Sequence, residues 1–223
     1  MPLLEIAVTS LEDALRAEEG GADSVEVSRD LSVGGLTPGM ELVQSIRAKL
    51  KIKVNVLLRP HARNFEYSNS ELIALAKTLA AAIHVKADGV VFGARDERGM
   101  LNLGAIQAVM MAARSIPLTV HRAIDESVYP EDALVDLAEM GIARVLTAGP
   151  ARTAFEGRKR LAKWVEKFGS KISFVASGGL TMEQIPTMLS EVKAHEYHFG
   201  SAARTDGVVD VAKVRELRAA IGR

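Results

Sequence analysis

Gly21-Ala22-Asp23-Ser24-Val25-Glu26-Val27 returns in outline as Lys86-Ala87-Asp88-Gly89-Val90-Val91-Phe92, as Gly141-Ile142-Ala143-Arg144-Val145-Leu146-Thr147 and, more loosely, as Lys193-Ala194-His195-Glu196-Tyr197-His198-Phe199. Each copy runs into a short segment with the β-branched and aromatic content of a strand. These are the second, fourth, sixth and eighth of eight such segments; the others are predicted at Leu3–Val8, Val54–Leu58, Leu118–Val120 and Ile172–Val175. A unit that recurs once per two strands suits a closed barrel whose alternate strands fill alternate layers.

The intervening stretches are helical. Ser10-Leu11-Glu12-Asp13, Ser68-Asn69-Ser70-Glu71 and Thr181-Met182-Glu183-Gln184 have N-terminal capping spacing. Thr37-Pro38 reads as an N-cap followed by proline at the first helical position. From Ser70 to His84, Leu72, Leu75, Ala76, Leu79 and Ile83 form one apolar stripe. A last helix starts at Asp210. Eight strand–helix pairs without a linker predict an α/β chain folded as one (β/α)8 TIM barrel over residues 1–223. The alternative is a doubly wound open sheet; its dinucleotide-binding form needs a G-x-G-x-x-G after the first strand, which is lacking.

Composition narrows the functional classes. The 223 residues carry 28 Lys+Arg against 28 Asp+Glu, so no net charge draws the chain to nucleic acid or to an anionic membrane. There is no cysteine, which excludes disulfides, thiolate catalysis and thiolate metal sites. Met1-Pro2-Leu3-Leu4-Glu5 has no basic region leading into a long apolar stretch, and apolar runs such as Ala108 to Ala113 are too short to span a bilayer. The expectation is a cytoplasmic protein without membrane or nucleic-acid partners.

In a barrel, function sits at the carboxyl ends of the strands. Those positions hold Glu26, Arg59, His121, Arg122, Asp125, Thr147, Ser177, His198 and Ser201. The fifth strand is the most pointed case: Leu118-Thr119-Val120-His121-Arg122-Ala123-Ile124-Asp125 passes from apolar residues to three ionisable ones. A charge facing a barrel interior needs a partner, and Glu26 with Arg59 or Arg122 would form such a pair. His121 is a candidate general acid–base oriented by Asp125 or Glu26, with Arg59 and Arg122 stabilising negative charge. The competing reading makes the same groups structural ion pairs that close the barrel. For Glu5, in mid-strand, the structural reading is preferred.

The last two strands end in Ser177-Gly178-Gly179 and Gly200-Ser201. Glycines there let backbone N–H groups approach an anion, and the loops after strands seven and eight commonly bind phosphate in this fold. Gly178, Gly179, Gly200 and Ser201 are therefore a candidate phosphate or other anion site. Gly34-Gly35 could close over a ligand or simply turn the chain. The long segment Arg59 to Ser68 has the residues of a functional loop, with Arg59 suited to an anion and His61 and Arg63 expected in solvent. His84, His195 and Trp164 read as surface or outer-layer residues. No lysine ends a strand, which speaks against a Schiff-base aldolase.

Leu4-Glu5-Ile6, Gly21-Ala22-Asp23-x-Val25-Glu26, Gly34-Gly35-Leu36-Thr37-Pro38, Arg59-Pro60, Phe65-x-Tyr67-Ser68, His121-Arg122-Ala123-x-Asp125 and Arg144-Val145-Leu146-Thr147 together resemble the copper homeostasis protein CutC family. The resemblance runs through the chain with the motifs in order, and their combination is specific. It implies a TIM barrel, a cytoplasmic location, a homodimer or higher homo-oligomer and a role in copper handling, with no settled reaction. Cysteines frequent in the family after the first and second strands are replaced by Ala7 or Val8 and by Ser28, and His61-Ala62-Arg63 replaces its arginine–glycine–glycine loop. Copper(I) prefers thiolate and thioether ligands. The donors left for a metal are His121, His198 and Glu26, a set that suits copper(II) or another divalent metal. Two functions thus stand side by side: a copper-homeostasis protein, and an enzyme performing proton transfer, isomerisation or lyase chemistry on a small anionic or phosphorylated metabolite.

Overall fold

The repeated unit turns out to be a helix stop joined to a strand. In the computed structural model, which describes residues 1–114 and 116–222, Gly21, Lys86, Gly141 and Lys193 all adopt left-handed backbone, with φ of 92°, 60°, 81° and 56°. The following N–H then reaches back to the last helical turn, from Ala22 to Ala17 O, Ala87 to Ala82 O and Ile142 to Leu137 O, at 3.0, 3.0 and 2.9 Å. This is the reversal that closes a helix and satisfies its orphan carbonyls. The looser fourth copy makes its bond one residue earlier, from Lys193 N–H to Met188 O at 3.2 Å. Asp23 and Asp88 add a clamp, each accepting the N–H of the preceding strand, from Leu4 at 2.8 Å and Val54 at 2.9 Å.

Eight parallel strands close into one barrel in chain order. They are β1 Leu3–Val8, β2 Ser24–Val27, β3 Lys53–Leu57, β4 Gly89–Phe92, β5 Leu118–Val120, β6 Arg144–Thr147, β7 Ser173–Ser177 and β8 Glu196–Phe199. The helices between and after them are α1 Leu11–Glu19, α2 Met40–Arg47, α3 Asn69–His84, α4 Leu103–Ala113, α5 Pro130–Glu139, α6 Arg158–Phe168, α7 Ile185–Glu191 and α8 Val211–Ile221. This is the (β/α)8 barrel expected from the sequence, and the open-sheet alternative falls. A short antiparallel hairpin, β9 Arg204–Thr205 and β10 Val208–Val209, sits between β8 and α8.

Side-chain alternation divides the strands between two environments. Leu4, Ile6 and Val8 leave β1 on one face and are wholly buried among helix residues such as Ala14, Ala17 and Val214. Glu5 and Ala7 leave the other face, toward the barrel axis. The hydrophobic core is the layer between strands and helices, whereas the barrel interior is largely polar.

Several local expectations are corrected. The α2 helix starts at Met40 with Gly39 before it, so Thr37-Pro38 does not cap it. Thr37 Oγ1 instead accepts the backbone N–H of Arg59 at 2.7 Å, tying the β2–α2 loop to the end of β3. The third strand begins one residue earlier than predicted, and the seventh runs on to Ser177. In α3 the buried stripe is Leu75, Leu79 and Ala82, while Ala76 is exposed. Ser68 caps that helix through a reciprocal bond with Glu71, as its spacing predicted.

Candidate active site

Below the mouth of the barrel lies a buried ion network built by strand register. Glu5 stands beside Ser24 of β2 and His198 of β8, and Arg144 beside Thr119 of β5 and Ser173 of β7. Glu5 accepts from Ser24 Oγ at 3.1 Å, Asn55 Nδ2 at 2.6 Å and Arg144 Nη2 at 3.0 Å, and its Oε1 lies 3.0 Å from His198 Nδ1. Arg144 also donates to Glu196, from Nε at 3.0 Å and Nη2 at 2.8 Å, and to Thr119 Oγ1 at 3.0 Å. Burial would raise the Glu5 carboxyl, but Arg144 and His198 outweigh it and hold Glu5 well below the usual carboxylate range. Burial likewise opposes charge on Arg144 and His198; the carboxylates beside them prevail and raise both.

One layer higher, a cavity of about 970 Å³ opens at the carboxyl ends of the strands. Glu26, His121, Arg122, Asp125, Ser177 and His198 all line it, as do Arg59, Gly178, Gly179, Gly200 and Ser201. The sequence-predicted rim residues other than Thr147, which is wholly buried against Asp125, therefore share one space, although their pairing differs from expectation. Glu26 is almost fully buried and has no hydrogen-bond partner among the described residues. Burial pushes its carboxyl up; the charge of His198 opposes this, and the charge of Glu5 adds to it.

Arg59 does not pair with Glu26. Its Nη1 donates to Val33 O at 2.8 Å and Gly35 O at 3.0 Å, and its guanidinium lies 4.9 Å from the Phe65 ring. It latches the β2–α2 loop over the cavity, with the close approach of Nη1 to Gly34 restricting what that position can hold. Asp125 does not orient His121 either. It accepts from Arg122 Nε at 2.9 Å, from Ala148 N–H at 2.8 Å and from the Thr147 hydroxyl. His121 Nδ1 accepts the N–H of Ala123 at 3.2 Å, and Nε2 is buried with no partner among the described residues. Burial drives its pKa down to about 3, with Arg59 and Arg122 adding to the effect. His61 is also drawn in from solvent, with Nε2 3.2 Å from Glu71 Oε1 and its ring against Tyr67.

At the other rim, Gly178 and Gly179 have φ of 109° and 61°. None of the backbone N–H groups of Gly178, Gly179, Gly200 and Ser201 is spent on another described acceptor. Arg122 spreads over Gly178, where a Cβ would meet Nη1 at 2.7 Å. Its Nη2 donates to Ala151 O at 3.0 Å. Arg152, unflagged in the sequence, is exposed at the same rim. Arg204, also unflagged, lines the cavity but is held by Asp13 Oδ2 at 2.9 Å and Ala7 O at 2.8 Å.

A family model described as the CutC family matches residues 2–203. The chain belongs to the CutC family. A CutC family protein of Xanthomonas axonopodis is 35% identical over 195 residues, covering 87% of this chain and 81% of the relative. A human copper homeostasis protein cutC homolog is 34% identical over 240 residues, covering 97% of this chain and 88% of the relative. The crystal structure of the putative copper homeostasis protein CutC from Streptococcus agalactiae superposes with a TM-score of 0.84 at 26% identity, over 90% of this chain and 99% of that one.

Among the described residues one group could offer a metal three donors: Glu5, Glu26 and His198, with ligand atoms within 4.8 Å of one another. His121, expected beside His198 and Glu26, is outside it. Glu5 already accepts from Ser24, Asn55, Arg144 and His198, so its lone pairs are committed. Glu26 and one nitrogen of His198 are left, a hard oxygen and an imidazole next to a buried guanidinium. That set does not fit copper(I). No helix among the described residues is long and apolar enough to cross a membrane.

Proposed function

We propose that this CutC-family barrel is an enzyme that binds a small phosphorylated metabolite in its mouth and moves a proton on it. The observation carrying this reading is Glu26, a buried carboxylate with no hydrogen bond, raised pKa and His198 beside it, at the wall of a ligand-sized cavity. A carboxyl tuned upward by burial is suited to exchange protons near neutral pH. Burial lowers the pKa of His198, Glu5 and Glu26 raise it past that effect, and the imidazole beside Glu26 in turn opposes the upward shift of the carboxyl. The free N–H groups of Gly178, Gly179, Gly200 and Ser201, with Arg122 and Arg152 behind them, supply the anion site. Proton transfer is thereby assigned to Glu26, tuned by His198, and not to His121, whose low pKa makes it a weak base and whose Nδ1 already accepts the Ala123 N–H.

Calorimetry with inorganic phosphate tests the anion site: saturable binding is expected, weakened in Arg122→Ala and unchanged in Glu26→Gln. Absence of phosphate binding by the native chain overturns the reading.

A second reading rests on the proximity of Glu26 and His198. Together they can hold a divalent ion, copper(II) or zinc, with Glu5 orienting the imidazole from behind. Such an ion competes with protonation of His198, which Glu5 and Glu26 favour. Titration with zinc at about pH 8, native against His198→Ala, separates this reading from the first.

A further inference from the structure

His121 is the one motif residue that proton transfer leaves without a task, and its surroundings are specific. Its Nδ1 accepts the Ala123 N–H at 3.2 Å, so in the neutral ring the proton is on Nε2. Gly93, at the end of β4, lets the ring lie against the backbone: a Cβ there would meet Nδ1 at 2.7 Å. Phe65 covers the ring with centroids 4.9 Å apart. Nε2–H is thus a fixed donor, buried and without an acceptor among the described residues, on a residue of the cavity wall. Leaving such a donor unpaired costs roughly 1–3 kcal/mol, which calls for an acceptor that arrives from outside.

We infer that His121 is a neutral electrophile: its Nε2–H donates to the carbonyl oxygen of the substrate, which is therefore a phosphorylated carbonyl compound. This rests on the proposed phosphate site and proton transfer. The phosphate sits against Gly178–Gly179 and Gly200–Ser201, and the carbonyl end reaches the opposite wall by displacing the edge of Phe65. Glu26 takes the proton from the carbon next to the carbonyl. The C–H electron pair becomes the C=C bond of an enolate, and the carbonyl π pair moves to oxygen, where Nε2–H and the cation of Arg59 stabilise the charge. Reprotonation at carbon by Glu26 completes the exchange, so no oxidant, reductant or second substrate is needed. A neutral imidazole is suited to this task because its N–H polarises the oxygen without giving up the proton. The low pKa of His121 agrees with the neutral form.

Two probes test it on the full chain, inorganic phosphate and 2-phosphoglycolate, whose carboxylate mimics an enolate oxygen. Native protein should bind 2-phosphoglycolate about tenfold or more tighter than phosphate, the equivalent of one good hydrogen bond. His121→Ala should remove that increment and leave phosphate affinity unchanged, and His121→Gln, which keeps an N–H donor, should restore part of it. Equal preference for the two probes in native and His121→Ala protein overturns the inference while leaving the phosphate reading intact. If phosphate itself does not bind, the underlying reading fails. Nitrogen-15 NMR then still decides the ring: a proton on Nε2 unchanged from about pH 5 to 8 supports a neutral donor, and titration in that range or a proton on Nδ1 overturns it.

Discussion

Nδ1 of His198 lies 3.0 Å from Oε1 of Glu5, across the β1–β8 seam that closes the barrel. The bond joins the buried ion network below to the cavity above. It leaves Nε2 of His198 as the nitrogen not engaged by Glu5. Replacing Glu5 by Gln keeps the shape and removes the charge, so His198 should lose its proton at lower pH than in the native chain. Proton NMR of the ring in both proteins measures this; an unchanged His198 titration would mean that Glu26 alone holds the proton.

Arg144 balances two buried carboxylates, Glu5 and Glu196. Its truncation to Met leaves Glu196 without its cation and Glu5 with His198 alone, and should lower stability by about 3–5 kcal/mol, the usual cost of breaking a buried pair from one side. Neutralising the partners as well, in Glu5→Gln/Arg144→Met/Glu196→Gln, should recover much of that loss. Urea unfolding of the single and triple variants gives the comparison, and a triple variant no more stable than the single would show that packing, not charge, sets the cost.

The sequence exposed the barrel because its helix stops repeat, and a stop needs a left-handed residue followed by a buried small or apolar one. Gly21 and Gly141 announce that requirement, and Lys86 and Lys193 meet it without announcing it. Strand ends were similarly legible, since polar residues closing apolar runs fall at one rim. The partners of those residues were not. Glu5 and Glu196 are charges in short strands at the same inward parity as Glu26 and His198, a signal that was present in period two. Which arginine meets them depends on register across β5, β6 and β8, which one strand's pattern does not encode. From sequence, Arg59 is paired with Glu26 and Asp125 with His121, because their actual partners, mainly backbone atoms and a neighbouring arginine, are brought together by the fold itself.

The two inward histidines titrate in opposite directions and so give opposite slopes to stability. His121 has a folded pKa of about 3 against an ordinary value of 6.5, so the unfolded chain binds the extra proton between those values and stability falls as pH falls through that window. His198 has its pKa raised, so its contribution is fully present below the ordinary value and is lost as pH rises through the folded one. His121→Gln should flatten the acid side of the stability profile, and His198→Gln the near-neutral side. Urea midpoints from about pH 4 to 9 test both; an acid limb in His121→Gln as steep as the native one would contradict a neutral His121.

Gly178 combines a left-handed φ of 109° with the Arg122 guanidinium 2.7 Å from where a Cβ would stand. Alanine there must strain the backbone and push Arg122 from its place above the loop, so two effects are expected at once. Stability should fall by about 1–3 kcal/mol from the strained backbone. Phosphate affinity should fall further than that strain alone explains, because Arg122 and the neighbouring N–H groups lose their common focus. Gly200 offers the control, since a Cβ there meets nothing within 4 Å and its φ is not positive. Gly200→Ala should therefore keep stability near native while its N–H remains available, and phosphate binding should change little. Calorimetry on both variants distinguishes a site focused by Arg122 from a loop in which glycine serves only the turn. Equal losses in the two variants would favour the turn.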